Sequence, residues 1–412
     1  MGHKRFSVYN LKAILRLLVY DLWKRLVTIR SFLNRNAGDP FKLIWTDPDR
    51  IVNIGIGWHK YHKRNEVGRV KAGDWDLNTM PFEHLDVYQA FKERFVEGKG
   101  WEETSYYNVK YHSYVKKIAD PKEIPQNGVM AQFEDYESLY REIRQNAFKS
   151  KQELSLPSLK QSDEITVRIG RNGELLFEDG RHRLAIAKIL GLEKIPVLVT
   201  WRHKNWVKIR SEVKDILNNI SIPNRFPLPP CHPDLNIPLG TSNNGHDPYF
   251  HLIDSHLPLR KGCLLHIGAE WGSLCHLFED EGFECYGIEG NREDFRVLQA
   301  LKMANNKKFT ALCLSAGDFI EKSEFDVVLA FNVFHRYMKT KEEYERLMLF
   351  LSRLRTKILF YEPASSQKDK SEAAYIKPGQ EEFLRIISNQ TGLSDWQCIG
   401  YSVNQQPVFK FT

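Results

Sequence analysis

Two short stretches of the chain carry residue types at spacings suited to chemistry. In the first, Glu178, Asp179, Gly180, Arg181, His182 and Arg183 stand between a strand-like apolar run and a helix-like run. A glycine turn with basic side chains at a helix N-terminus is an anion site, because free backbone N–H groups and the helix dipole point at the ligand. His182 and Arg183 add side-chain donors. For Asp179 and Glu178 two readings stand side by side: a carboxylate that positions magnesium or a substrate hydroxyl, and a helix cap or solvated turn. In the second stretch, Gly268 and Gly272 bracket Ala269, Glu270 and Trp271, and an acid, Glu289, follows about twenty residues on. Glycine lets backbone approach a ligand closely, and an acid at that distance accepts hydrogen bonds from ribose hydroxyls.

Flanking elements must hold both stretches. Residues 263–267 form a short apolar strand that runs into Gly268; a helix is predicted from Ser273 to Glu281, closed by Gly282; Phe283 to Ile288 is a second strand ending at Glu289. Strand, glycine turn, helix and acid-ended strand make a dinucleotide-type half-fold. Taken alone, the pattern also fits an NAD-type site, although Ser273 stands where such a site would more typically carry a third glycine. Strands and helices alternate onward: apolar runs at 310–314 and 325–330, a helix over 341–355, a strand over 357–361, then strands near 397–403 and 407–411. Around the first stretch the spacing predicts a helix over 132–147 and a strand over Ile165–Ile169. A turn at Gly170–Gly173 and a strand over Glu174–Phe177 follow, then a helix from Leu184 to Leu190 and a strand over 197–200. Asn172-Gly173 between apolar runs is a strong hairpin signal.

Residues 264–290 resemble motif I of class I S-adenosylmethionine-dependent methyltransferases in order and spacing. The resemblance extends over nearly all of 245–412 and implies a Rossmann-like sheet that ends in an antiparallel pair. It implies S-adenosylmethionine as cofactor, with Gly268, Glu270 and Gly272 along the methionine and ribose portion. Glu289 would hold the ribose hydroxyls and Asp318 would contact adenine. Asn332 and His335, after a run resembling motif IV, would stand at the active-site mouth as the catalytic candidates. Two residues depart from the family pattern: His266 occupies a position where an acid is usual, and Glu270 replaces the middle glycine.

Asp179 to Ala185, followed by Gly191, Leu192, Ile195, Pro196 and Val197, resembles the ParB/sulfiredoxin superfamily, over roughly residues 46–210. The resemblance implies an α+β domain that binds ATP or CTP with magnesium. Gly180, Arg181, His182 and Arg183 would contact phosphates, with Asp179 as a catalytic candidate. Arg181 stands where sulfiredoxins carry their cysteine, so sulfinic acid repair is not expected. No helix-turn-helix segment follows, so a DNA clamp is not expected either.

A chain of 412 residues with 42% hydrophobic content can bury more than one core. Composition marks a basic amphipathic helix (1–38) and a proline-rich linker (221–247), and the two resemblances imply a ParB/sulfiredoxin-like domain over 41–220 and a methyltransferase domain over 248–412. The formal charge is +7, and residues 1–36, with eight Lys and Arg against Asp21 alone, account for all of it. That concentration argues against a folded nucleic-acid-binding face. Leu11, Leu15, Leu18, Leu22, Leu26, Ile29 and Leu33 recur at helical spacing. The expected helix either lies on an anionic membrane surface or packs its apolar face on a neighbouring domain or a partner. Six cysteines form no CxxC pair and no zinc-ligand ladder, so no metal centre is expected and a cytoplasmic setting is; the first reading of the helix adds peripheral membrane contact through 1–36. No apolar run is long enough to cross a membrane. The function expected is methyl transfer to a small-molecule or glycan acceptor, beside a nucleotide-binding domain. The alternatives are an ATP-dependent phosphotransferase with a non-catalytic methyltransferase-like domain, and a nucleotide-switched binding protein.

Overall fold

Continuous apolar runs and strict alternation decide where the strands fall. A strand covered on both faces reads as an unbroken apolar run, whereas a surface strand alternates. The computed structural model describes residues 8–33, 37–56, 66–109, 126–146, 148, 164–219, 232–235, 248–319, 324–364, 374–402 and 405–412. The chain divides into two compact units, residues 1–211 and 212–412. Most of the proline-rich stretch (221–231 and 236–247), and Lys4, Arg5 and Arg35, lie outside the described residues.

The first unit opens with α1 (Val8–Leu33), then β1 (Leu43–Thr46), β2 (Asn53–Gly55), β3 (Arg69–Lys71), β4 (Thr79–Pro81), α2 (Asp86–Phe95) and α3 (Gln126–Asn146). It continues through β5 (Ile165–Ile169), β6 (Leu175–Asp179), α4 (Arg181–Ile189), β7 (Ile195–His203) and the start of α5 (Lys204–Asn219). Its mixed sheet runs β1-β7-β5-β6-β2-β4, with β3 also paired to β7. The hairpin expected at Asn172-Gly173 is the β5–β6 turn, where Gly173 takes φ 99°. Every residue of β5 is buried, including Arg168, whose guanidinium lies 3.4 Å from Glu178 and 4.2 Å from the centre of the Trp201 ring. An ion pair this deep stands only with its remaining lone pairs satisfied, and the Thr200 hydroxyl donates to Glu178. Glu178 is thus part of the core, and of the two acidic neighbours only Asp179 reaches the turn.

Helix α4 begins three residues earlier than the apolar spacing suggests. Gly180 is its N-cap, in a left-handed conformation (φ 90°), and the Leu184 N–H already bonds to the Gly180 carbonyl at 3.0 Å. Arg181, His182 and Arg183 therefore form the first helical turn rather than a loop before it.

The second unit carries α6 (Pro248–Asp254), β8 (Cys263–Ile267), α7 (Ser273–Asp280), β9 (Glu284–Ile288), α8 (Arg292–Ala304), β10 (Thr310–Leu312) and β11 (Glu324–Phe331). Then come α9 (Lys341–Arg353), β12 (Arg355–Glu362), α10 (Gln380–Thr391), β13 (Trp396–Tyr401) and β14 (Pro407–Phe411). The sheet order is β10-β9-β8-β11-β12-β14-β13. Strands β8 to β12 are mutually parallel, and β14 runs antiparallel between β12 and β13. Alternate residues feed two apolar layers. Leu265, Ile267, Val328 and Leu359 pack with Leu347 and Leu351 of α9 and Phe383 of α10. Leu264, Val327, Leu329 and Phe360 pack with Ile253 of α6 and with Leu274 and Phe278 of α7. Burial on both faces is what a parallel sheet requires.

Candidate functional site

In the second unit the strand order reverses between β8 and β11. Open parallel sheets hold ligands at such a switch point, outside the carboxyl ends of the strands. The chain leaves β8 at Gly268 (φ 72°), takes Glu270 at φ 48° and enters α7 through Gly272 at φ 83°. The loop folds back on the end of β9, where the N–H groups of Gly268 and Ala269 both donate to the Ile288 carbonyl at 2.9 Å. Glu289, 1% exposed, fastens the arrangement. Its Oε2 accepts the Glu270 N–H at 2.8 Å, and its Oε1 accepts the Asn291 N–H at 2.7 Å. Burial pushes the Glu289 carboxyl above its ordinary range, and those two backbone N–H groups pull it partly back. Each oxygen keeps acceptor capacity beyond its one backbone bond.

The loop after β11 closes on the same place. A Cβ on Gly268 would lie 3.0 Å from Val333 Cγ2, so glycine is what lets the two loops meet. Asn332 sits at φ 49° and its N–H donates to the Glu362 carbonyl at 3.0 Å. Its buried Oδ1 has no hydrogen-bond partner among the described residues. His335 lies in the short turn Phe334–Met338 and is half-buried.

Strand order and direction decide the fold. The second unit has a Rossmann-like methyltransferase fold. The reversed β14 and the edge strand β13 are the closing antiparallel pair that the resemblance implies. No protein-family model matches the chain, and no curated protein does. Among solved structures, the bifunctional kinase-methyltransferase WbdD is similar at 18% identity over 40% of this chain and 37% of that one, with a TM-score of 0.32. Magnesium protoporphyrin IX methyltransferase (ChlM) from Synechocystis PCC 6803, a structure with bound SAM, is similar at 14% identity over 39% of this chain and 74% of that one, with a TM-score of 0.31. The match thus spans well under half the length of WbdD.

Of the expected cofactor residues, Glu270 bonds directly to Glu289, while Gly268 bonds to Ile288 beside it and Gly272 closes the same loop on Ala269; the catalytic candidate Asn332 adjoins them through Val333. Asp318 ends the short turn Ala316–Asp318 after β10, where it is exposed and pairs with Arg346 of α9 at 3.5 Å. Three further polar residues went unnoticed in the sequence. Glu362, the last residue of β12 and 1% exposed, accepts from the Tyr249 hydroxyl and from the Ser402 hydroxyl, each at 2.7 Å. The one signal for it was a charge in phase with the buried Phe360. His266 is buried on the same face, and burial alone pushes its imidazole down to about 4. It is therefore neutral at physiological pH, and its Nδ1 has no partner among the described residues.

The first unit has its own candidate. A Cβ on Gly180 would meet the Ile165 Cα at 3.0 Å, so glycine is required on steric as well as conformational grounds, and it holds the α4 N-terminus against β5. Asp179 Oδ1 accepts the Gly180 N–H at 2.8 Å. Two of the three expected basic donors are engaged within the unit. The His182 ring stacks on Tyr136 at 4.6 Å and lies 5.9 Å from Phe91. Arg183 pairs with Glu164 at 3.2 Å and lies over Phe148 at 4.4 Å. Arg181 is half-buried at the first helical position. Among the described residues no group of three or more His, Cys, Asp or Glu side chains is placed to hold a metal ion.

Proposed function

We propose that the second unit binds S-adenosylmethionine at the Gly268–Gly272 loop and Glu289, and transfers its methyl group to a small-molecule or glycan acceptor. The observation that carries this reading is the buried Glu289 carboxylate, bonded to the loop's own N–H and with lone pairs left for two ribose hydroxyls. The left-handed loop and the buried Asn332 Oδ1, a polar atom awaiting a donor, fit the same ligand. Bound there, the cofactor supplies an activated methyl group on a sulfonium. The chain's part is to hold the reactants in line and to keep water out. Asn332 orients cofactor or acceptor through Oδ1, and His335 takes the proton that an acceptor hydroxyl or amine releases. Asp318, on the rim, gives up its exposed pair with Arg346 to reach adenine. Labelled methyl transfer to small-molecule and glycan acceptors tests the reading. His335→Ala should lower turnover by roughly a hundredfold or more with cofactor affinity unchanged, and equal turnover would remove His335 from the mechanism.

A second reading concerns the first unit, which we propose has the ParB/sulfiredoxin-like fold and binds the phosphates of ATP or CTP, with magnesium, at the start of α4. It is favoured by Gly180, which presents the first-turn N–H groups and Arg181 at the end of the inner strand β6. With His182 stacked and Arg183 paired, Arg181 and the backbone are the main donors. Asp179 is the group for magnesium or for a substrate hydroxyl if phosphoryl transfer occurs. Titration of each nucleotide against Arg181→Ala tests this; equal affinity in wild type and variant would place the phosphates elsewhere.

A further inference from the structure

Helix α1 is anchored by one face and leaves an apolar stripe uncovered on another. Val27 and Ser31 are 3% and 6% exposed, and Trp23 meets Phe41 edge-on at 5.6 Å. A Cβ on Gly68 would lie 3.2 Å from Val27 and 3.5 Å from Ser31, and the Ser31 hydroxyl donates to the Gly38 carbonyl. Residues 23, 27 and 31 recur every fourth position and so share one side of the helix. The stripe read from the sequence is elsewhere. Leu18, Leu22, Leu26, Ile29, Phe32 and Leu33 are 56 to 83% exposed. At 100° per residue they centre well away from the anchored side. These residues are therefore not covered by the rest of the first unit.

A contiguous apolar stripe of this kind on a surface helix marks an interaction face, and its charge selects the partner. Residues 1–36 carry eight Lys and Arg against Asp21 alone. Arg25, 76% exposed, borders the stripe and pairs with Asp21 at 3.0 Å. A second copy of α1 would bring the same excess of cations, with Asp21 alone on each copy to offset it. An anionic lipid surface accepts both the stripe and the charge. No helix among the described residues is long and apolar enough to cross a membrane, so the contact lies in the plane of the interface.

We propose that α1 docks this protein on an anionic lipid surface, with Leu18, Leu22, Leu26, Ile29 and Phe32 at the boundary between headgroups and acyl chains. Co-sedimentation of the full chain with phosphatidylcholine vesicles, with and without phosphatidylserine, tests it. Wild type should pellet with the serine-containing vesicles, stay in solution with pure phosphatidylcholine, and be released by salt. Leu22→Glu with Leu26→Glu changes only exposed positions and should lower binding at least ~tenfold; Arg25→Gln should lower it roughly fivefold. Should the double variant fail to melt as wild type does, Arg25→Gln carries the test alone. Wild type that ignores serine-containing vesicles overturns the proposal, as does pelleting unaltered by folded variants. A concentration-dependent dimer without vesicle binding, lost in the double variant, would overturn it in favour of self-association.

Discussion

Glu289 joins two jobs at the scale of a single residue. Its carboxylate holds the Glu270 N–H, which fixes the glycine loop, and it offers lone pairs to a ribose. Burial raises its pKa above the ordinary carboxylate range, so the ionised form that accepts hydroxyl donors is lost sooner as pH falls. Cofactor affinity should be full above the raised pKa and decline on acidification, at a higher pH than an exposed carboxylate would give. Titrations at a series of pH values check this, and Glu289→Gln should bind weakly throughout without that step. His266 makes a separate prediction for stability. Its folded pKa of about 4 lies below the ordinary 6.5, so the unfolded chain takes up the proton first on acidification. The stabilising contribution is whole above about 6.5 and is lost toward 4, by up to ~3 kcal/mol. Denaturant unfolding across that range should show the slope, and His266→Leu should flatten it.

At the scale of elements, what was legible in the sequence followed from pattern length. β8, the glycine loop, α7 and the acid-ended β9 could be read because a continuous apolar run, a loop between glycines and a helix closed by Gly282 each leave a local mark. β2, β3 and β4 are three residues each, too short for alternation to show. The early start of α4 was hidden because Arg181, His182 and Arg183 are polar, whereas the apolar period begins at Leu184. Gly180 gives this element its test. With φ 90° and the Ile165 Cα 3.0 Å from any added Cβ, Gly180→Ala should destabilise the first unit by about 1–3 kcal/mol. Thermal melting would show it, and an unchanged transition would mean that the α4 N-terminus does not depend on this close approach.

Across the whole molecule, the features that stayed illegible are those set by distant residues. The Tyr249–Glu362 bond joins positions 113 residues apart, and the Arg168–Glu178 pair depends on which strands meet in the sheet. The apolar period of α1 established an amphipathic helix without telling which side faces the protein. Two units with separate candidate sites also make a prediction about independence. Glu289→Ala should abolish cofactor binding and leave ATP or CTP binding intact, while Arg181→Ala should do the reverse. Loss of both ligands in either variant would indicate a coupled or unfolded chain, which circular dichroism and melting would distinguish.

Calorimetric titration of S-adenosylmethionine into the full chain, with Glu289→Ala alongside, tests whether the second unit binds this cofactor through Glu289. The predicted result is binding of roughly micromolar affinity in the wild type and none in the folded variant. Absence of binding to well-folded wild type, or equal binding in the variant, would contradict it.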